Sequence, residues 1–385
     1  MTIFAMTFNE EFRMKIRQNK IEELLFALLK SALHQKPLEG SVLSSYTDEE
    51  WKECYKLAVK HGVMAVVWDG VMQMPAEFQP SRPIRLSWAV AVKKYEERYE
   101  RYCKAASELA SFYAENGIAM MQIKGVGLSS YYPIPSHREG GDIDIYTYSM
   151  DTSKLSDEDA NHLADRLMMN KGADVKEKTH KHSQFFFQKI AIENHRTFLD
   201  LDTNPVAQPM NDLLLKLMNP ADTVLCDGKY KVSTPSPEFN AVFLSFHAGQ
   251  HYCYGFRLHH LFDWACMLKK YGLPLSDEVT DRKLIRFIHS LTHLSNCLLG
   301  TEVEVPADKK MTYEVYEQIM HPRFTGEPPK NKVAILIYKT AKLFYTHYKH
   351  SKVLNLSLLG IIWDSIIFHF KKPETIFTAS DKQKK

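Results

Sequence analysis

Cysteine, glycine, proline and an excess of charge of one sign are all scarce in this sequence. The 385 residues contain six cysteines, none in a Cys-x-x-Cys pair, which argues against a secreted disulfide scaffold and favours a reducing, cytoplasmic location. Sixteen glycines and 17 prolines are too few for a fibrous or low-complexity chain. Lysine and arginine number 49 against 46 acidic residues, so the formal charge of +3 creates no overall field that would indicate a nucleic-acid partner.

Long uninterrupted apolar runs are missing as well. The N-terminus has no basic segment followed by an apolar core, which predicts that there is no signal peptide. The most apolar stretch, residues 354–370, is interrupted by Asn355, Ser357 and Asp364, and falls short of the roughly 20 apolar residues that span a bilayer. We therefore expect no transmembrane segment. A packed terminal helix with a frayed basic tail is favoured over contact of this C-terminal helix with an anionic membrane surface.

Helical patterns dominate the first hundred residues. Apolar residues at 21–29 recur at the spacing of one buried helix face. Thr47 and Glu50 have the pattern of a capping box, which predicts the start of a second helix that ends near Gly62. A longer helix is predicted between residues 83 and 117, because proline is well tolerated in a first helical turn.

Strand-like segments in the middle of the chain predict a small mixed sheet. Four segments have the length and alternation of strands, at residues 118–123, 141–146, 183–188 and 190–198. A predicted helix at 156–172 separates the second segment from the third. From about residue 205 the pattern returns to helices, with a linker that carries proline and serine at 233–237.

These patterns together predict an α+β fold. A core at residues 83–203, with a small mixed sheet, is expected between an N-terminal helical region at 1–82 and a C-terminal helical domain at 204–385.

An acidic pair stands at i and i+2 in the second strand-like segment. On a strand, Asp142 and Asp144 would emerge on one side of the sheet, while Ile143 and Ile145 would point into the core. Carboxylates this close repel each other, and a divalent cation between them relieves the repulsion. Because Mg²⁺ prefers carboxylate, phosphate and water oxygens, the pair predicts a magnesium site. The alternative is an edge strand whose acids face solvent.

Residues that suit a triphosphate lie just upstream of this pair. Gly125 follows the first apolar strand directly, and a glycine-containing turn there can present backbone amides to phosphate. Lys124 adds a point charge at the same turn. Arg138, four residues before the acidic pair, supplies a planar guanidinium that matches phosphate geometry.

A third acid follows on a later strand. Glu193 and His195 share one face of the run at 190–198, so Glu193 completes the site if this strand lies beside that of the acidic pair. Three acids around two ions about 3.5–4 Å apart would suit in-line displacement at phosphorus. Asp200 and Asp202 compete for this role, and Glu193 is preferred because it lies inside the alternating run.

The order of these features resembles the nucleotidyltransferase superfamily with a DNA polymerase β-like fold. In that superfamily a strand, a glycine turn, a short helix and a strand with Asp-x-Asp precede a later strand with a third acid. More narrowly, QIKGVGLSSYYPIPSHREGGDIDIY followed by IAIENH is similar to the poorly characterised bacterial branch of the superfamily. The helical stretch with His247, His251, Arg257 and Asp263 resembles the C-terminal region of that branch. The resemblance covers residues 118–267.

The resemblance implies transfer of a nucleoside monophosphate from a nucleoside triphosphate, such as ATP, to an acceptor hydroxyl with release of pyrophosphate. Asp142 and Asp144 match the metal-binding pair, Glu193 matches the third acid, and Gly125 matches the turn glycine. Two Mg²⁺ ions are implied, with Mn²⁺ as the alternative. A small-molecule acceptor is favoured, with RNA and protein left open. A catalytically inactive nucleotide sensor and a helical scaffold are the alternative functions.

Several further side chains near the motif carry competing interpretations. Tyr132 could stack on a nucleobase, and His182 could contact phosphate or instead pack against the sheet. His247 and His251 have the i, i+4 spacing of two zinc ligands, but no glutamate follows the first, so the metalloprotease pattern fails. Asp263 is predicted to be a buried acid that needs a partner and that helps to fix the helical domain against the sheet.

Overall fold

The computed structural model describes most of the chain. The described residues are 18–38, 43–177, 180–201, 207–226, 228–252, 255–324 and 331–354, with isolated positions at 329, 359, 362, 363 and 367. Asp202 lies outside them, as do the basic tail and nearly all of the predicted terminal helix at 354–370.

The described part of the chain contains twelve α-helices. They are α1 (Lys20–His34), α2 (Asp48–Lys60), α3 (Met64–Met72), α4 (Arg82–Ala114), α5 (Val126–Ser129), α6 (Asp157–Asn170), α7 (Ala207–Leu217), α8 (Pro237–His251), α9 (Leu258–Tyr271), α10 (Arg282–Leu299), α11 (Lys309–Met320) and α12 (Lys332–His350). Within this part of the chain, no helix combines the length and the apolar character needed to cross a bilayer.

Seven strands form one mixed sheet. They are β1 (Ile118–Gln122), β2 (Ile143–Ser149), β3 (Lys176–Glu177), β4 (His182–Phe187), β5 (Ile190–His195), β6 (Ala221–Leu225) and β7 (Tyr230–Thr234). The order across the sheet is β3-β4-β5-β2-β1-β7-β6. The pairs β2–β5 and β1–β7 are parallel, and the remaining pairs are antiparallel. The predicted α+β class is confirmed, with helices at both ends of the chain.

Local sequence signals account for the boundaries of the first helices. At the start of α2, the Thr47 hydroxyl accepts from the Glu50 amide and the Glu50 carboxylate accepts from the Thr47 amide, so the predicted capping box is confirmed. The chain then turns at Gly62, whose φ of +69° is accessible to glycine. Helix α4 begins with Pro83 in its first turn, as predicted.

The expectation that only helices follow residue 205 is wrong. Strands β6 and β7 form an antiparallel hairpin, and β7 continues the sheet beside β1 through the pair Met121 and Ser233. The Thr223 and Thr234 hydroxyls lie 2.6 Å apart across the hairpin. The sheet therefore draws residues from both sides of position 203. A hairpin signal was present, because an Asp-Gly dipeptide at 227–228 separates two runs with β-branched residues.

Two cores cover the two faces of the sheet. On one face, α4 and α6 pack against a cluster that includes Ile143, Ile145 and Ile192. The other face contributes Tyr146 to a larger core shared with the N-terminal and C-terminal helices. Side chains alternate along a strand, so Asp144 shares the face of Tyr146. The predicted acidic site therefore lies on the face covered by the larger core.

Candidate active site

Asp144 and Glu193 are partners in the parallel ladder between β2 and β5. In the register of the two strands, Asp144 is paired with Glu193, and two residues further along each strand Tyr146 is paired with His195. Partners in a ladder project from the same face of a sheet, so the two carboxylates and the His195 imidazole lie on one face. The structure thus brings together side chains from two separate strands of the predicted motif.

The Asp144 carboxylate is completely buried and has two polar neighbours at one oxygen. Its Oδ1 lies 3.0 Å from Lys124 Nζ and 3.0 Å from His195 Nε2. Burial alone would raise the pKa of Asp144, but Lys124 and His195 hold it well below its ordinary value. The second oxygen, Oδ2, is buried and has no hydrogen-bond partner in the described part of the chain. The carboxylate is therefore ionised and only half satisfied.

The Lys124 ammonium interacts electrostatically with all three predicted acids. Burial would lower the pKa of Lys124, but Asp144, Asp142 and Glu193 together raise it. All three carboxylates therefore lie within electrostatic reach of one ammonium. Asp142 is half-buried and precedes the first residue of β2, whereas the sequence pattern places it inside the strand.

Glu193 is oriented by a neighbour on β4. Gln184 is its ladder partner there and donates from Nε2 to Glu193 Oε1 at 3.3 Å. The other oxygen, Oε2, lies 3.7 Å from His182 Nε2 and 3.9 Å from His195 Nε2. The Glu193 side chain keeps 20% of its surface exposed, whereas Asp144 keeps 1%. Glu193 is thus the more accessible of these two acids.

Burial keeps the imidazole beside Asp144 neutral. It lowers the pKa of His195 to about 4 despite the hydrogen bond to Asp144. The other ring nitrogen, Nδ1, lies 3.4 Å from the Thr197 carbonyl oxygen.

The turn before α5 has a backbone that requires glycine. Gly125 has φ +65° and ψ −127°, a combination that L side chains rarely adopt. A Cβ there would lie 3.3 Å from the Asp142 carbonyl oxygen. The strand–glycine turn–short helix order predicted from the sequence is therefore present, and the turn lies against the backbone of the acidic motif.

Arg138 and Tyr132, both predicted to contact the nucleotide, share the carboxylate of Asp263 as a partner. Arg138 makes a bidentate pair with Asp263, in which Nε donates to Oδ1 and Nη2 donates to Oδ2, each at 2.8 Å. Its Nη1 also donates to the Gly125 carbonyl oxygen at 2.9 Å. The Tyr132 hydroxyl donates to Asp263 at 2.7 Å, and its ring is buried against Phe262. Tyr132 is buried, and the Arg138 side chain keeps 10% of its surface exposed.

Asp263 is therefore the buried acid that the sequence predicts, and its partners are Arg138 and Tyr132. It lies on α9 and joins the C-terminal helices to the loop that follows the glycine turn. Arg257 is exposed, and its backbone amide donates to His260 Nδ1 at 3.1 Å.

Comparison with protein families agrees with this arrangement. A family described as "Uncharacterised nucleotidyltransferase" matches residues 47–300 of the 385. The chain belongs to this family. Membership supports nucleotidyl transfer in general and implies a nucleotide substrate. Neither the curated proteins nor the solved structures compared with the chain give a match.

A buried polar network behind the candidate site fixes the register of β2, β4 and β5. The Thr147 hydroxyl donates to Asn194 Oδ1 at 3.0 Å, and Asn161 on α6 donates to the same oxygen at 3.1 Å. Asp165 accepts from Asn194 at 2.9 Å and from Ser183 at 2.8 Å. These bonds connect α6 with β2, β4 and β5, and a slip of one residue would break them all.

The sequence interpretation missed Lys181, which lies near the candidate site. The Lys181 side chain is half-buried. Burial and the charge of Lys124 lower the pKa of Lys181. The carboxylates of Asp144, Asp200 and Glu193 oppose that shift. Asp200 thus lies near Lys181. The lysine immediately precedes His182, and this adjacency is a signal that the sequence offered.

The rings of three histidines from α8 and α9 lie close together. The His247 ring lies 4.4 Å from that of His251 and 5.7 Å from that of His260. The pKa of His247 lies well below its ordinary value, mainly because the ring is buried and further because His251 and Lys124 are close to it. Among the described residues, a cluster of three or more potential metal ligands is found elsewhere, and His247 and His251 are not part of it.

Proposed function

We propose that this nucleotidyltransferase moves a nucleoside monophosphate from a nucleoside triphosphate to a hydroxyl acceptor, with release of pyrophosphate. The observation that carries the proposal is the position of Asp144. It is ionised and buried, it has one oxygen without a partner in the described structure, and it lies opposite Glu193 on one face of the sheet.

The residues present fit divalent cations. Among the described residues, Asp144 Oδ2 is a buried acceptor without a hydrogen-bond partner, and Asp142 and Glu193 add carboxylate oxygens around the same ammonium. Hard oxygen donors of this kind suit Mg²⁺, which Asp142, Asp144 and Glu193 would hold, with Mn²⁺ as the alternative. When bound, such ions lower the pKa of an attacking hydroxyl and offset charge on phosphate oxygens.

Lys124 has two tasks in this proposal. In the protein without nucleotide, its ammonium neutralises Asp144 at a distance of 3.0 Å. Its side chain keeps 24% of its surface exposed, so it can turn toward a triphosphate when one enters. Lys181 adds a second positive charge nearby. Arg138 acts indirectly, because it holds the carbonyl of Gly125 and thereby positions the turn.

The reaction itself is an in-line displacement at the α-phosphorus. The acceptor oxygen forms a bond to that phosphorus while the bond to the bridging oxygen of the β-phosphate breaks, and pyrophosphate leaves with the electron pair. Glu193 takes the hydroxyl proton, because it is the more accessible of the two paired acids. The burial of the site beneath the C-terminal helices favours a small-molecule hydroxyl as the acceptor over RNA or a protein surface.

A labelling experiment tests this function. Purified protein is incubated with Mg²⁺, α-labelled nucleoside triphosphates and host extract, and the labelled product is identified. We expect label transfer by the natural protein and its loss in the Asp142→Asn/Asp144→Asn double variant. Glu193→Gln provides a second test at a more accessible position, and the exposed acid Asp174 provides a matched control as Asp174→Asn. Transfer that survives in both site variants would overturn the proposal.

A further inference from the structure

The outward face of α12 is apolar over about four helical turns. Between residues 333 and 348 every exposed side chain is uncharged. The large ones recur every three or four residues along one helix face and keep 45–66% of their surface exposed; they are Val333, Leu336, Ile337, Phe344 and Tyr348. We call this row the apolar stripe. A surface helix normally presents charged or polar residues to water, so a continuous row of this kind indicates an interaction surface.

The opposite side of α12 is held against the body of the protein, which fixes the direction of the apolar stripe. Ile335 and His350 are buried. Lys349 Nζ lies 3.1 Å from a carboxylate oxygen of Glu314 on α11, and His350 Nε2 lies 2.9 Å from the Gln250 carbonyl oxygen at the end of α8. The helix cannot roll to bury its apolar stripe without breaking these contacts.

Positive charge is concentrated at this end of the chain. Helix α12 contains four lysines and no acidic residue. Residues 331–385 hold ten lysines and three acids, a formal charge of +7, whereas residues 1–330 hold 39 basic and 43 acidic residues, a formal charge of −4. The small net charge of the whole chain therefore conceals a basic C-terminal part, whose partner should carry negative charge.

Exposed apolar side chains continue beyond α12. Leu359, Trp363 and Ile367 are among the isolated described positions, and all three are exposed. They are spaced four residues apart, and lysines follow at positions 371 and 372. A tryptophan among aliphatic residues, with lysines beside them, is typical of segments that bind at a membrane–water interface.

We propose that α12 binds in the plane of an anionic phospholipid surface, with its apolar stripe against the acyl chains and its lysines near the headgroups. Apolar area and attraction of lysines to anionic lipids together drive such binding. Lysine stems lie along apolar surface while their ammonium groups reach the polar layer. A second copy of the chain fits less well, because two basic helices repel each other, and nucleic acid offers no comparable apolar surface to the stripe. This inference does not depend on the proposed function.

Vesicle flotation of the full-length protein tests the proposal without nucleotide. The vesicles consist of phosphatidylcholine alone or of phosphatidylcholine with about one third phosphatidylglycerol. We expect the protein to bind the anionic vesicles at least about tenfold more tightly than the neutral ones, and to bind them more weakly as the salt concentration rises. Equal binding to the two kinds of vesicle, or binding to neither, would overturn the proposal.

A matched pair of variants locates the contact. Ile337→Glu places a carboxylate on the apolar stripe, and Leu86→Glu places one at a comparably exposed apolar position of α4. Ile337→Glu should weaken binding to anionic vesicles by about tenfold or more, because it removes apolar contact and adds a charge that the lipids repel. Leu86→Glu should bind like the natural protein. Equal binding by the two variants would refute the assignment to α12. Unfolding curves show whether either substitution affects the fold.

Other occupants of the apolar stripe give different results. In Phe344→Trp, the added tryptophan emission should shift to shorter wavelength with anionic vesicles, beyond any shift of the natural protein. If a second copy covers the stripe, sedimentation velocity shows a dimer that Ile337→Glu dissociates. If residues 355–385 cover it, Ile337→Glu lowers the free energy of unfolding, and vesicles leave the emission of Phe344→Trp unchanged. Either of these last two results would contradict the proposal.

Discussion

Glu193 lies directly opposite Asp144 in the parallel ladder of β5 and β2. These two acids belong to separate segments of the sequence, and the side-chain bond between Thr147 and Asn194 in the same strands fixes their register. The proposed cation and nucleotide site rests on their shared face, their unequal exposure and the ammonium of Lys124 beside them.

Lys124 should stabilise the fold because it neutralises a buried carboxylate. We expect Lys124→Met to lower the free energy of unfolding at neutral pH by about 3 kcal/mol, since Asp144 would remain charged and buried without its partner. Adding Asp144→Asn should restore part of that loss. Urea unfolding of the two single variants and the double variant measures the coupling. Strictly additive losses would show that the two side chains do not stabilise each other.

Glycine should be required at position 125 and dispensable at position 140. Gly125→Ala forces a side chain into a backbone conformation reserved for glycine, so we expect a loss of about 1–3 kcal/mol in the free energy of unfolding and weaker nucleoside triphosphate binding. Gly140→Ala is the control, because a Cβ there meets no atom within 4 Å. Unfolding and calorimetric binding measure both effects. Equal behaviour of the two variants would contradict the role of the turn.

The pair of Arg138 and Asp263 should couple the helices to the glycine turn. Removing either partner leaves a buried charge, so Arg138→Ala and Asp263→Ala should each cost about 3–5 kcal/mol of unfolding free energy. The double variant should lose less than the sum. Arg138→Lys should not rescue the pair, since it cannot make the bidentate contact. Full stability of Arg138→Lys would argue against this geometry.

Acid should destabilise the protein partly through His293. Burial lowers its pKa to about 4, whereas in the unfolded chain it takes up a proton near its ordinary pKa of 6.5. Between these values the unfolded state binds more protons, so stability falls as the pH falls from 6.5 to 4. We expect His293→Gln to reduce the loss of unfolding free energy between neutral pH and about pH 4.5 by about 2 kcal/mol. Equal acid sensitivity of the variant and the natural protein in urea unfolding would refute this.

Much of the fold followed from local patterns in the sequence. The capping box at Thr47, the proline in the first turn of α4 and the alternation around Ile143 and Ile145 are signals within a few residues, and the structure contains the corresponding elements. The sequence does not predict the hairpin of β6 and β7, because its runs are short and polar and their alternation is weak.

The site was predicted less completely because long-range partners decide it. The sequence shows that Arg138 can bind an anion, but not that the anion is the carboxylate of Asp263, 125 positions away. It shows the alternation of Glu193, but the parallel register that sets Glu193 against Asp144 depends on a network spread over α6 and three strands. Such pairings arise from packing and leave no local pattern.

The fate of two labels tests most directly whether the α-phosphoryl group is transferred together with its nucleoside. Parallel reactions of the natural protein with host extract receive nucleoside triphosphate labelled at the α-phosphorus or at the γ-phosphorus. We predict that the acceptor acquires only the α-label and that the γ-label leaves in pyrophosphate. Appearance of the γ-label on the acceptor, or release of γ-labelled orthophosphate in place of pyrophosphate, would contradict the account.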